Sequence, residues 1–355
     1  LIIFSHIYNL TYQFILFLFY NGYMEIYDFE ESRMIEEINK NNYKKVLLQL
    51  PEGLKKEAIR IANLIESKTK ARAIVSGESC WGGCDLGTDE ANKLKCDLIV
   101  HFGHAPFIKS NFPILYIELK SNIDVINMLK NNLKLLNKYN KIGLVSSVQY
   151  IHKINDIKKV LENYGKEVFI PKKKGFAYYD GHVIGCEYRH LKDVDVDCFI
   201  VIGNKFHSLG AAMTVDKNVF LLNENTGKLE NMNEEKNKII KQRAIAIENV
   251  KKANKIGIIV SLKPGQNCSG IANNIKKELE KQDKETVLIT MDEIIPNKLM
   301  SFYDIDAFVV TACPRIAVED YGKYEKPIIN SREANVVIGK ISWDDLLKEG
   351  FIGFI

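Results

Sequence analysis

The amino-acid sequence predicts an α/β fold of three repeated small domains, each built on a parallel sheet. Three continuous apolar runs open with a lysine, at Lys45, Lys141 and Lys255. Because these runs do not alternate with polar residues, they indicate strands that are buried on both faces. A segment with helical periodicity precedes each run and another follows it. Strands and helices therefore alternate along the chain, which is typical of parallel sheets joined by right-handed crossovers.

The repeat sets domain boundaries at residues 24–122, 123–232 and 233–355, in keeping with the two or three domains expected of 355 residues. In each domain we predict a helix, the Lys-led strand, a second helix, a second strand and a last strand. The predicted first helices are 30–41, 123–139 and 234–253, and the second helices are 54–67, 152–164 and 271–282. The second strands are 71–75, 167–170 and 286–290, and the last strands are 97–101, 198–202 and 306–311.

Residues 1–23 stand outside the repeat. The segment is apolar near its end, but it lacks the basic start and small-residue cleavage site of a secretory signal. Several polar residues interrupt it, so it does not match a membrane span either. Met24 directly precedes a helix-like pattern. We therefore expect residues 1–23 to come from a start site that was assigned too early, rather than to form a membrane anchor.

Charge and cysteine content narrow the possible partners and the compartment. The net charge of +4 arises from 49 basic and 45 acidic residues without a basic stripe, so nucleic acid is not expected as a partner. Seven cysteines are too few, and odd in number, for a disulfide framework in a chain of this length. A reducing cytoplasm with free or metal-bound thiols is the expected setting.

Three cysteines, one in each predicted domain, are the main candidates for chemistry. Cys84, Cys186 and Cys313 lie in loops at a sheet edge, each after a glycine or alanine. Ligands of open α/β sheets bind at that edge. One such cysteine alone would be interpreted as an ordinary buried thiol, whereas three at matching loops favour a shared site. A zinc site is usually built locally and needs four ligands, but a [4Fe-4S] cluster held by three cysteines keeps one iron free for substrate. We expect a pseudo-three-fold arrangement of the domains around such a cluster.

The spacing of other cysteines supports the repeat in the first two domains. Cys84 precedes Cys96 by twelve residues, and Cys186 precedes Cys198 by twelve. This equal spacing predicts that the two cysteine loops superpose in register. Cys96 and Cys198 themselves begin buried strands, so we interpret them as packing residues.

The third domain departs from that pattern. Cys313 lies just past the last strand, where the first domain has His104. The spacing of His101 and His104 resembles half of a zinc-binding motif. We expect the two side chains either to line the central cleft or to form hydrogen bonds. Cys80 shares the loop of Cys84 and could supply a fourth ligand or a redox partner. We interpret it as a bystander.

Polar residues after the first strand are candidates for holding a small molecule. Gln49, Glu52, Gly53 and His104 would share the cluster edge and could bind the cofactor's polar end. The alternative is that Glu52 merely starts a helix at its positive end. Residues 265–270 have the spacing of a phosphate loop but lack the Lys and Ser or Thr that follow in such loops, so nucleotide hydrolysis is not predicted. Cys268, within this loop, is a weaker ligand candidate.

Five motifs taken together carry a family resemblance. They are LQLPEGL from Leu48, WGGCDL from Trp81, LIVHFGHA from Leu98, GC from Gly185 and ACPRI from Ala312. This ordered set resembles the diphthamide biosynthesis family of archaeal-type 2-(3-amino-3-carboxypropyl)histidine synthases, from about Tyr43 through Glu333. The family's cluster cysteines correspond to Cys84, Cys186 and Cys313. The chain departs from the family at Cys80 and Trp81, where a smaller or hydroxyl residue and Tyr are commoner.

The resemblance implies a transferase of the radical S-adenosylmethionine type. A reduced [4Fe-4S] cluster would cleave S-adenosylmethionine to a 3-amino-3-carboxypropyl radical and methylthioadenosine. The radical would attack C2 of a histidine imidazole on translation elongation factor 2. A homodimer and an electron donor are implied as well, whereas the residues that bind S-adenosylmethionine are not.

Three other functions remain open at this stage. A quinolinate-synthase-like dehydratase also joins three α/β repeats around a three-cysteine cluster, but it would not release methylthioadenosine. A non-catalytic subunit that only holds a cluster would be expected to lack one of the three cysteines, and all three are present. A zinc-stabilised binding module would be colourless, unlike an iron–sulfur protein.

Overall fold

The computed structural model describes residues 26–353. The predicted N-terminal extension at residues 1–23, and the proposed start at Met24, lie outside these residues. Within them, no helix combines the length and the apolar character needed to cross a membrane.

The first repeat forms a four-stranded parallel sheet and a small antiparallel pair. Its elements run β1 (Tyr27–Asp28), α1 (Glu31–Lys40), β2 (Lys45–Gln49), a 3-10 helix (Glu52–Glu57), α2 (Ala58–Lys68), β3 (Arg72–Val75), α3 (Thr88–Lys93), β4 (Leu98–Phe102), β5 (Ile114–Ile117) and β6 (Lys120–Ser121). Strands β1 and β6 pair with each other.

The second repeat adds an antiparallel edge strand to the same plan. It consists of α4 (Val125–Asn132), a 3-10 helix (Leu133–Leu136), β7 (Lys141–Ser146), a 3-10 helix (Val148–Lys153), α5 (Ile154–Asn163), β8 (Glu167–Phe169), a 3-10 helix (Arg189–Asp193), β9 (Cys198–Gly203), α6 (Lys205–Ala212), β10 (Asn218–Asn223) and β11 (Lys228–Asn231). Strand β11 pairs antiparallel with β10.

The third repeat is followed by two short helices. Its elements are α7 (Asn233–Lys252), β12 (Lys255–Ser261), α8 (Ser269–Glu280), β13 (Glu285–Met291), α9 (Pro296–Met300), β14 (Ala307–Val310), α10 (Arg315–Val318), a 3-10 helix (Tyr321–Lys323), β15 (Ile328–Asn330), α11 (Ser331–Val337) and α12 (Trp343–Glu349).

The three sheets share one strand order, which confirms the predicted α/β repeat. The orders are β3-β2-β4-β5, β8-β7-β9-β10-β11 and β13-β12-β14-β15. Each Lys-led strand lies second in its sheet, with parallel neighbours on both sides. The continuous apolar sequence of these strands follows from this position, because both of their faces are buried.

Strand register corrects the predicted superposition of the cysteine loops. Val46, on β2, pairs with Leu98, and the equivalent Ile142, on β7, pairs with Cys198. Cys198 therefore matches Leu98 rather than Cys96, and the register inferred from the twelve-residue spacing is wrong by two residues. The same reasoning makes Ala307 equivalent to Leu98. Cys313, six residues after Ala307, thus corresponds to His104, as the sequence predicts.

Buried apolar residues join the second and third repeats into one core. A continuous cluster extends from Val145 and Val201 in the second sheet, through Ile247 of α7, to Ile258 and Val309 in the third sheet. The first repeat has clusters of its own between its sheet and helices. The predicted boundary at 232/233 therefore separates two sheets that share a hydrophobic core.

Candidate active site

Loops from the carboxyl ends of all three sheets line one cavity of about 690 Å³. Cys84 follows β3, Cys186 follows β8 and Cys313 follows β14, and all three line this cavity. Parallel strands present their carboxyl ends at one sheet edge, so each repeat delivers its loop to the same kind of place. The cavity lies within the size range of small-molecule and cofactor sites.

A tight turn fixes Cys84 in the first repeat. The Asp85 amide donates to the Gly82 carbonyl at 2.9 Å, and the Trp81 amide donates to Asp85 Oδ2 at 3.2 Å. A Cβ added at Gly82 would lie 3.3 Å from Cys84 Sγ. The small residue therefore leaves space beside the sulfur.

The third repeat supports this turn from the other side. The Gly265 amide donates to the Cys84 carbonyl at 2.8 Å, and Gln266 Nε2 donates to Cys84 Sγ at 3.3 Å. Lys263 Nζ, almost fully buried, lies 2.8 Å from Asp85 Oδ2 and 2.7 Å from Glu293 Oε1. The first cysteine is thus held jointly by two repeats.

An aromatic ring and a guanidinium pack against the second cysteine loop. A Cβ at Gly185 would come within 2.1 Å of the Phe206 ring and 3.1 Å of Arg315 Cδ. Only glycine leaves room for this packing beside Cys186. The Arg315 guanidinium lies over the Phe206 ring and pairs with Glu319 at 2.9 Å. Arg315 opens α10, two residues after Cys313, so the second and third cysteine loops share this contact.

Burial and mutual repulsion raise the thiol pKa values. Burial is the main cause for all three residues, and it brings the pKa of Cys313 to about 12. The pKa of Cys186 is raised further by Cys313 and Cys84. These thiols are therefore protonated unless a cation stabilises the thiolates, which is how a metal centre would bind here with release of protons.

The three cysteines are spaced more widely than the ligands of one ion. Within residues 26–353, the only group of three His, Cys, Asp or Glu side chains whose ligand atoms all lie within 4.8 Å of one another is Cys80, His101 and His104. Cys84, Cys186 and Cys313 line the same cavity without meeting this criterion. At least one pair of their sulfur atoms is therefore more than 4.8 Å apart, which is farther than two thiolates bound to one tetrahedral ion.

Neutral imidazoles occupy other parts of the cavity wall. His104, His182 and His207 all line it. Burial lowers the pKa of His104 to about 4, and those of His182 and His207 to about 3. All three imidazoles are consequently uncharged near neutral pH. Sequence reasoning missed His182 and His207, because neither belongs to a recognisable motif.

Of the four residues predicted to bind the cofactor, two line the cavity and two do not. Gly53 and His104 line the cavity, whereas Gln49 and Glu52 do not. Gln49 is buried, and its amide bonds the Asp85 carbonyl, the Gly87 amide and the His101 ring. Glu52 is exposed and pairs with Lys55 in the 3-10 helix that it opens. Gln49 and Glu52 thus make local contacts outside the cavity wall, and cofactor binding by the four residues stays a prediction.

The remaining four cysteines lie apart from the three cavity cysteines. Cys96 and Cys198 are buried, Cys198 completely, which agrees with the packing role predicted for both. Cys268 precedes α8 and does not line the cavity. Cys80 lies with two imidazoles rather than with the three cavity cysteines.

A family model matches most of the chain. The model for diphthamide synthesis proteins matches residues 50–347, a span that includes all three cavity cysteines. The matched segment begins directly after the first Lys-led strand and ends in the last helix, so it covers every loop that brings a cysteine to the cavity.

Relatives and a solved structure agree with this match. The 2-(3-amino-3-carboxypropyl)histidine synthase of Methanocaldococcus jannaschii is 32% identical, covering 92% of this chain and 95% of the relative. The protein of the same name from Pyrococcus horikoshii is 30% identical over 91% of this chain and 94% of the relative. A crystal structure of Dph2 from Pyrococcus horikoshii with a 4Fe-4S cluster has a TM-score of 0.85 at 29% identity, covering 93% of this chain and 95% of that chain.

Proposed function

Because this chain belongs to the diphthamide synthesis protein family, we propose that it catalyses the first step of diphthamide biosynthesis. The reaction transfers a 3-amino-3-carboxypropyl group from S-adenosylmethionine to C2 of a histidine imidazole on translation elongation factor 2. Methylthioadenosine is the other product; after the radical adds to C2, the adduct loses the C2 hydrogen as a proton and gives up one electron, so the transfer has no net consumption of electrons. The observation that carries the proposal is that three cysteines, one from each repeat, line a single cavity.

The donor set fits a [4Fe-4S] cluster bound by Cys84, Cys186 and Cys313. Three thiols spaced too widely for one ion suit a cubane core, and three ligands leave one of its irons open. The Gln266 amide beside Cys84 Sγ supplies the kind of hydrogen bond that tunes such a cluster. When bound and reduced, the cluster supplies the electron that breaks the bond between the sulfonium sulfur and the aminocarboxypropyl carbon of S-adenosylmethionine.

The cavity walls suit a cationic substrate and a reactive carbon fragment. Phe107 and Phe176 stack at 4.3 Å between ring centroids and form part of the apolar lining, which excludes water. The imidazoles of His182 and His207 are neutral, so they can contact a sulfonium group without repelling it. The chain thus supplies an apolar lining and uncharged imidazoles on the cavity wall.

Elongation factor 2, an electron donor and a second copy of the chain are the proposed partners. The target histidine must reach the cavity on a projecting loop, so the contact with the factor is expected to be small and transient. The cytoplasm is the proposed compartment, because none of the seven cysteines, all within residues 26–353, forms a disulfide.

The proposed activity is tested by measuring turnover of S-adenosylmethionine in the absence of oxygen. Protein purified without oxygen is reduced and mixed with S-adenosylmethionine and elongation factor 2. We expect methylthioadenosine release and a mass gain of one aminocarboxypropyl group on the factor. Iron–sulfur protein that releases no methylthioadenosine would instead favour a dehydratase of the quinolinate-synthase kind.

Cysteine variants test the cluster ligands. Changing Cys84, Cys186 or Cys313 to Ala should remove the iron and sulfide, because two thiolates cannot hold the core. Cys198→Ala is the matched control, since Cys198 is fully buried in β9 and away from the cavity. Loss of iron from Cys198→Ala as well would show that the ligand assignment is mistaken.

A further inference from the structure

We propose that Cys80, His101 and His104 form a second metal site, for one divalent transition ion such as Zn²⁺, next to the three-cysteine cavity. One ligand atom from each of the three side chains lies within 4.8 Å of the others. One sulfur and two imidazole nitrogens form a donor set that zinc favours. This proposal does not rest on the proposed function.

The site is closed on the protein side and open toward the cavity. His101 is fully buried, and Cys80 is 5% exposed. His104 is half-buried and lines the cavity wall. Three protein ligands with a fourth position facing a cavity are the arrangement of zinc sites that bind water or a substrate group. The fourth ligand would be a water or an anionic group of a molecule in the cavity.

Hydrogen bonds already orient His101 for metal binding. Gln49 Nε2 donates to the Asp85 carbonyl at 2.6 Å, and the Gly87 amide donates to Gln49 Oε1 at 3.1 Å. These contacts fix Oε1 as an acceptor, so His101 Nδ1, 2.9 Å away, must carry its proton. The lone pair of His101 is therefore on Nε2. Metal-bound histidines are held by such a partner on the other nitrogen.

The spacing of the two nitrogen donors is close to that in a bound zinc site. His101 Nε2 lies 3.0 Å from His104 Nδ1. Two nitrogens on a tetrahedral zinc are about 3.3 Å apart, from bond lengths of about 2.0 Å. Only a small outward movement and a change of the His104 tautomer would admit the ion. Burial raises the pKa of the Cys80 thiol, and the Gly82 amide acts weakly in the opposite sense, so binding of the ion would displace the thiol proton.

This geometry gives Cys80 a role other than fourth cluster ligand or redox partner, the two that its sequence position suggested. Cys80 shares a loop with Cys84, but its sulfur groups with imidazoles and not with the cavity cysteines. A fourth ligand to the cluster would occupy the iron that must stay open. A separate mononuclear site leaves that iron free.

Metal counting on the full-length protein tests the proposal. Cluster-loaded protein is equilibrated with Zn²⁺ without oxygen and passed through a chelating resin, and zinc, iron and sulfide are then measured per chain. We expect one zinc in the unaltered protein and none in Cys80→Ser, with iron unchanged in both. Cys96→Ser, a buried thiol of the same repeat outside the group, should keep its zinc. Absence of zinc from the unaltered protein, or its retention in Cys80→Ser, would overturn the proposal.

Cobalt spectroscopy gives a second readout that the cluster does not obscure. The variant Cys84→Ser/Cys186→Ser/Cys313→Ser lacks the cluster ligands but keeps the proposed site. Titration with Co²⁺ should produce a thiolate-to-cobalt charge-transfer band. Adding Cys80→Ser or His104→Gln should remove the band or weaken Co²⁺ binding at least about 100-fold, since losing a ligand costs more than losing its supporting partner. A triple variant that shows no band, or whose band survives both changes, contradicts the site. Because iron and zinc are counted separately, failure of this proposal is distinct from failure of the cluster assignment.

Discussion

At the scale of single residues, burial sets the protonation of the cavity imidazoles more than any charged neighbour does. His182 is 3% exposed, and its Nδ1 accepts the Tyr178 amide at 3.3 Å. Desolvation is the largest cause of its low pKa of about 3, with smaller contributions from His190 and His104. His182 therefore contributes to the cavity wall a neutral ring that accepts a backbone hydrogen bond.

This burial predicts a pH dependence of stability. The pKa of His182 is about 3 in the folded protein and about 6.5 in the unfolded chain. Above about pH 6.5 the residue contributes nothing, because both states are neutral. As the pH falls from about 6.5 toward 3, only the unfolded chain binds the proton, so the free energy of unfolding decreases by about 1.4 kcal/mol per pH unit. His182→Asn should remove this part of the slope in urea unfolding measured at about pH 7 and pH 5.

The exposed His152 provides the control for that experiment. His152→Asn should remove less of the pH slope than His182→Asn, because burial and nearby lysines lower the pKa of His152 less than burial lowers that of His182. Equal slopes for His182→Asn and the unaltered protein would show that His182 is not the group that titrates.

The candidate site was predictable where residue type alone carries the signal. Cys84, Cys186 and Cys313 stood out because thiols in edge loops are few and chemically distinctive. Gln266 and His182 could not be found in this way, because their importance comes from strands and loops distant in sequence that bring them to the cavity. Gln49 was placed at the correct sheet edge, but strand register turns its side chain toward His101 and away from the cavity.

At the scale of elements, the same hydrogen bonding by an aspartate side chain recurs in all three repeats. Asp97, Asp197 and Asp306 directly precede β4, β9 and β14. Each carboxylate accepts two backbone amides at the start of the Lys-led strand. These bonds lower the pKa values of Asp197 and Asp306. The aspartate thus ties two neighbouring strands together at the edge opposite the cavity.

The sequence predicted helix positions better than helix beginnings. The predicted helix at 54–67 begins instead as a 3-10 helix (Glu52–Glu57) before α2, and the one at 152–164 follows another 3-10 helix (Val148–Lys153). Both segments leave a buried strand, and the tighter 3-10 turn redirects the chain before the α-helix starts. The fourth strands β5, β10 and β15 were missed, because β5 and β15 are only four and three residues long and all three resemble other apolar connections.

A buried ion pair should control how the third repeat's helices dock. Arg243, on α7, is fully buried and binds both carboxylate oxygens of Glu333, on α11, at 2.6 and 2.9 Å. It also donates to the carbonyls of Ala317 and Ile328. Arg243→Met would leave the Glu333 carboxylate buried without its partner. We expect the free energy of unfolding to fall by about 3–5 kcal/mol in urea titrations.

Two further variants check this interpretation. Arg243→Met/Glu333→Met should recover part of the loss, because it removes the unpaired charge. Lys251→Met breaks an exposed pair with Glu248 on the same α7 helix and should cost less than about 1 kcal/mol. If Arg243→Met costs no more than Lys251→Met, the buried pair does not hold these helices together.

At the scale of the whole molecule, the cavity depends on how the repeats meet. Gln149 Nε2, in the second repeat, donates to the Gly103 carbonyl in the first at 2.8 Å. Lys192 Nζ donates to the carbonyls of Lys348 and Glu349 at 2.9 Å, which links the second repeat to the last helix. The seam between the first and third repeats is the contact at which the Gly265 amide donates to the Cys84 carbonyl, and it lies beside the Cys84 side chain. A small displacement there would alter the spacing of the three sulfurs.

Gly265 is the point at which that seam can be tested. A Cβ at this position would lie 2.6 Å from Cys84 Cα and 2.8 Å from its carbonyl oxygen, closer than real contacts allow. Gly265→Ala should therefore push the two loops apart, with strain of about 1–3 kcal/mol. We expect at least half of the iron to be lost per chain, while circular dichroism still reports a folded α/β protein. Gly270→Ala is the matched control, because nothing lies within 4 Å of its Cβ position in α8, and alanine favours a helix by about 1 kcal/mol. Full iron content and unaltered stability in Gly265→Ala would show that the cysteines keep their spacing without close contact between these repeats.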